Sequence, residues 1–67
     1  SDLFDHVPVG IFRINQKGKL VDVNPALIQL LGYPDRDTLL STPLEKLFNR
    51  AHTLQSLIYQ VTTQHPV

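Results

Sequence analysis

Two short strand-like segments wrapped around one glycine constrain this chain more than any other feature. Val9–Asn15 carries Ile11, Phe12 and Ile14, β-branched and aromatic residues that fit a pleated, half-buried surface. Phe12 and Ile14 share one face, and Ile11 and Arg13 the other. Lys19–Val23 alternates, with Val21 and Val23 on one face and Leu20 and Asp22 on the other. Asn15-Gln16-Lys17-Gly18 joins the two as a turn in which Gly18 can take a positive φ. The spacing predicts a β-hairpin. A lone hairpin is at best marginal in water, and its edges are templates for more strands. The pattern after Val23 is helical, so further strands are expected downstream in a longer parent or from another chain.

The helical signals are local and strong. Ser1 and Asp2 can cap a short leading turn with Leu3, Phe4 and Val7 as its apolar side, and Pro8 ends it. Asn24 and Pro25 suit the N-cap and first position of a helix. Leu27, Ile28, Leu30 and Leu31 give that helix its apolar stripe, and Gly32 with Pro34 stops it. Asp35 can cap a second short helix through Leu40. Thr42, Pro43 and Glu45 form a capping-box pattern ahead of Leu44, Leu47 and Phe48. A last helix is predicted from about Arg50 to Gln64, because Leu54, Leu57, Ile58 and Val61 recur at i, i+3, i+4 and i+7. Val61, Thr62 and Thr63 weaken its end, and Pro66 stops it.

Composition removes several function classes. Sixty-seven residues cannot hold two cores. Six Lys and Arg balance six Asp and Glu, and the cations are scattered, unlike a nucleic-acid footprint. With no Cys, disulfides, zinc knuckles, iron–sulfur ligation and Cys nucleophiles are excluded together; a reducing cytoplasm is the expected compartment. No apolar run approaches a membrane span. His6, His52 and His65 lack metal-ligand spacing. No nucleophile elbow or glycine-rich phosphate loop is present, so an enzyme is not expected. The chain opens on Ser1 without a leader pattern and is read as a processed product or a piece of a larger protein.

The run Val7-Pro8-Val9-Gly10-Ile11-Phe12-Arg13-Ile14-Asn15, the turn at Gly18, Val21-Asp22-Val23-Asn24-Pro25-Ala26 and Leu30-Leu31-Gly32-Tyr33 together resemble a PAS domain of the bacterial sensory type. The short helices after Tyr33 and the long one after Arg50 match the same pattern. The resemblance implies an α+β fold, with helices between the second and third strands of a five-stranded antiparallel sheet. Residues 1–67 would then be the N-terminal portion of one domain: a hairpin followed by several helices. The remaining three strands would be missing, the next of them expected near His65-Pro66-Val67.

PAS domains are not enzymes in themselves. The resemblance implies a signal-transduction sensor that binds a small ligand or partner and relays it to an output domain of a larger protein, commonly a histidine kinase or diguanylate cyclase of a two-component or related system. The alternative is a ligand-free dimerisation scaffold. A homodimer through the leading turn would use Leu3, Phe4 and Val7. A haem-based gas or redox sensor is a minor alternative, because a His early in the long helix is the axial ligand in haem-binding relatives. His52 is the matching residue, although it lies beside the apolar stripe and equally suits solvent. Flavin-adduct chemistry needs a Cys that is not there. Asn24 could hydrogen-bond a ligand, but the helix cap is the stronger reading. Arg13 could hold a ligand carboxylate, but a cross-strand pair with Asp22 is the simpler use. Tyr33 and Tyr59 could donate to a ligand or pack at a rim.

Overall fold

The computed structural model describes residues 2–63. Its elements run α1 (Leu3–His6), β1 (Gly10–Ile14), β2 (Leu20–Val23), α2 (Pro25–Leu31), α3 (Arg36–Leu40), α4 (Leu44–Thr53) and β3 (Ile58–Thr62). The strands form one mixed sheet in the order β2-β1-β3. β1 pairs antiparallel with β2 and parallel with β3. The cap at Ser1, the helix end at Gln64, the stop at Pro66 and the strand expected near His65-Pro66-Val67 fall outside the described residues.

The hairpin forms as its sequence dictates, with one change of register. Gly18 takes φ 78°, and the Asn15 side chain accepts from the N–H groups of Lys17 and Lys19 at 2.9 and 3.0 Å. Arg13 pairs with Asp22, but the next partners are Ile14 and Leu20. Val21 is therefore an extra residue, a β-bulge that shifts the faces by one. Strict alternation would have turned Leu20 away from the core. The bulge brings it back to the core side with the fully buried Val23.

The first three helix starts follow their caps. Asp2 accepts from Phe4 N–H at 2.9 Å, and Asp35 accepts from Thr38 N–H at 2.8 Å. Asn24 caps α2 through Leu27 N–H at 3.0 Å. Gly32 closes α2 in the left-handed conformation, with bonds from Gly32 N–H to Gln29 C=O and from Tyr33 N–H to Ile28 C=O. The predicted capping box at Thr42 is not made. Its hydroxyl instead donates back to Thr38 C=O at 2.9 Å, and α4 begins behind Pro43 with no side-chain cap.

The helix predicted from Arg50 to Gln64 is overturned. The short helix at Leu44 continues through Arg50 as α4, which ends at Thr53. Gln55 turns left-handed with φ 54°. Ser56 N–H reaches Ala51 C=O at 2.8 Å, and Gln55 N–H reaches His52 C=O at 3.0 Å, a glycine-type stop built on glutamine. Ile58–Thr62 then fills the vacant edge of β1, with Gly10 opposite Ile58 and Ile14 opposite Thr62. The physical reason is backbone pairing: an open strand edge offers a row of donors and acceptors, and a β-branched segment satisfies them. A third strand is thus present before His65, and it lies parallel to β1 instead of antiparallel.

The core lies between the sheet and α2–α4. Phe12, Val23, Leu27, Leu31, Leu39 and Leu47 are at most 1% exposed, with Ile14 and Ala51 beside them. The Phe12 and Phe48 rings meet edge-on, with centroids 5.6 Å apart. Gly10 lets β1 pass beneath α2. A Cβ there would stand 2.9 Å from Leu27 Cδ1 and 3.2 Å from Leu30 Cδ1.

Candidate functional site

Asn24 is completely buried, and both its side-chain Oδ1 and Nδ2 are hydrogen-bonded. Its Oδ1 accepts from Ile11 N–H at 2.9 Å as well as from Leu27 N–H, and its Nδ2 donates to Val9 C=O at 2.7 Å. One amide therefore fastens β1 to the start of α2. It is a structural clasp: both polar atoms of the side chain are engaged by backbone groups of this chain.

Arg13 makes the predicted pair with Asp22 and more besides. Its guanidinium lies 3.7 Å from Asp22 and 3.5 Å from Asp2, and 3.7 Å from the centre of the Phe4 ring. Arg36 extends the chain of charges, 3.6 Å from Asp22 and 3.9 Å from Asp5. The sequence reading did not foresee Arg36, because its partners sit on β2 and α1. These pairs tether α1 to β1, β2 and α3. Phe4 is buried under Arg13, Val7 is half-buried, and Leu3 is 80% exposed. The apolar side proposed for dimerisation is thus split, with Phe4 consumed by the fold. The hydrogen bond from Phe4 N–H, aided by Arg13, holds the Asp2 carboxyl below its ordinary pKa; the bond from Thr38 N–H does the same for Asp35.

Tyr33 is half-buried against the core. His52 is exposed near the end of α4, not early in a long helix. The residues present do not fit a haem: the space between sheet and helices is occupied by Phe12, Leu27, Leu31 and Leu47. Among the described residues, no three His, Asp or Glu side chains converge on a metal position.

Two surface features were not legible in the sequence. The first is a groove of about 350 Å³ between the hairpin turn and the α3–α4 corner. Leu20, Leu40 and Leu44 make its apolar walls, with Lys19, Ser41 and Thr42 at the polar positions. Ser41 and Thr42 both donate back to α3 carbonyls, so the trough is chiefly an apolar one. Leu20 reaches it only because of the bulge. The second is the outer face of the sheet along β3. Tyr59 stands opposite Ile11, and Val61 opposite Arg13. Tyr59 and Val61 are 47% and 44% exposed, and alternation puts both on the side away from the core-packed Ile58; Leu57, just before the strand, is 71% exposed.

Comparison with known proteins bears on this arrangement. Neither the curated proteins nor the solved structures contain a match to the chain. The family model described as a PAS domain matches residues 1–62. That span includes the hairpin, the Asn24 clasp, all four helices and β3. No helix among the described residues is long and apolar enough to cross a membrane. The chain belongs to the PAS domain family, whose members serve as sensory or signalling modules.

Proposed function

We propose that this chain is a non-enzymatic PAS signalling module that works by protein contact, pairing with a second copy through the outer face of its sheet. It would pass that state to an output domain of a larger cytoplasmic protein, of the histidine kinase or diguanylate cyclase kind. One observation carries the reading: the interior between sheet and helices is filled by side chains, while Tyr59 and Val61 remain exposed on the outer face beside Ile11 and Arg13, with Leu57 exposed just before β3. Apolar groups grouped on one face in this way mark an interaction surface. The contact surface therefore shifts from the leading turn to β3.

Sedimentation velocity of the chain over a wide concentration range tests the reading. The expected result is reversible self-association that Tyr59→Lys weakens about tenfold. A chain that stays monomeric, or a dimer indifferent to Tyr59→Lys, overturns it. The groove beside Leu20, Leu40 and Leu44 supports a second reading as a site for a small apolar ligand. A thermal upshift with such a ligand, without a change in association, favours that reading.

A further inference from the structure

The core face of α4 does not end where the helix ends. Leu44, Leu47 and Ala51 are the residues α4 turns inward. Their spacing of three and four continues through Leu54, Ile58 and Val61, the repeat that keeps apolar residues on one helical stripe. Three of these six lie beyond α4, and two lie in β3. The same residues satisfy a strand pattern, since Ile58, Val61 and Thr62 are β-branched.

The strand arrangement carries two visible costs. Gln55 sits at φ 54°, where a residue with a Cβ is strained and glycine is not. Leu54 and Leu57 are left 42% and 71% exposed. What holds β3 is its five-residue pairing with β1: it is an edge strand with no second partner strand, and only Ile58 packs against the core.

We propose that residues 54–62 are a two-state segment, able to leave the sheet and continue α4 as a helix through Val61. In the second state Gln55 takes ordinary helical angles. Leu54, Ile58 and Val61 join the stripe of Leu44, Leu47 and Ala51. The edge of β1 from Gly10 to Ile14 is uncovered, and Tyr59 and Val61 are withdrawn from the outer face. The segment thus couples helix length to the availability of a strand edge, which is a conformational device of the fold itself. It does not depend on the chain pairing with a second copy.

Gln55 gives a test in both directions. It is exposed, so both variants keep the core intact. Gln55→Gly relieves the left-handed strain and disfavours helix; Gln55→Ala favours helix and keeps the strain. The experiment is chemical-exchange NMR on the isotopically labelled full chain at two dilutions. The expected result is a minor state at about 0.1–10% with helical carbon shifts over residues 54–61, persisting at the higher dilution. Gln55→Gly should lower its population about five-fold, and Gln55→Ala should raise it. No exchange in this segment overturns the proposal. So does a minor state with unstructured shifts, one that vanishes on dilution, or indifference to both variants.

Discussion

A single buried amide, that of Asn24, ties β1 to the start of α2 across the intervening β2. Asn24 contributes more than a cap, because Ile11 N–H and Val9 C=O lose their partner with it. Asn24→Ala is therefore expected to cost about 2–4 kcal/mol, the loss of a cap plus stranded polar groups, measured as the drop in unfolding free energy in urea. A cost near that of a cap alone would mean the β1 bonds are replaced by water. The Asn-Pro pair made the cap legible. The bonds to Ile11 and Val9 were not, because they cross 13 and 15 residues of chain. Asp2 and Asp35 bear on acid stability. Both have folded-state pKa values below the ordinary 3.8, so each contributes stability above that value that is lost as pH falls through the lowered one. Asp35→Asn keeps a capping oxygen and removes the titration. It should shrink the acid-side fall of the melting temperature and leave the neutral-pH melting temperature close to the parent's.

At the scale of elements, the hairpin turn and the β1–α2 crossing are the sensitive points. Gly18→Val forces a β-branched residue to φ 78° with open space around it, so backbone strain alone should cost about 1–2 kcal/mol. Gly10→Ala acts by crowding instead. Its Cβ would press Leu27 and Leu30, at a cost of about 1–3 kcal/mol. Thermal melts of the two variants distinguish the mechanisms when Leu30→Ala is added: it should rescue the Gly10 variant in part and leave the Gly18 variant as it was. α2 was fully legible because both its ends carry their own stop signals, Asn24-Pro25 and Gly32. The bulge at Val21 was not, since nothing local distinguishes it from regular alternation. Residues 54–62 were misjudged for a deeper reason. Their apolar spacing serves both periods, and only the vacant edge of β1 decides between them. The candidate site followed the same division: the Arg13–Asp22 pair came from alternation, whereas Arg36 and the groove at Leu20 depend on tertiary placement.

For the whole molecule, balanced charge and an exposed apolar face act together. With a pI near 6.8, the chain carries little net charge to oppose association at neutral pH. Solubility measured against pH should pass through a minimum close to that value. Tyr59→Asp should raise solubility at the minimum and shift it to lower pH; an unchanged minimum would locate the sticky surface elsewhere. The pairing of Gly10 with Ile58 carries a consequence for how the chain is made. The hairpin, the Asn24 clasp and α2 close over at most 15 residues of chain, and such contacts close early. β3 can reach β1 only after three helices have been laid down between β2 and β3, a long loop to close. During synthesis, β1 therefore waits with one bare edge until Ile58–Thr62 arrives. That interval, not the finished fold, is when the chain is most exposed to misassembly.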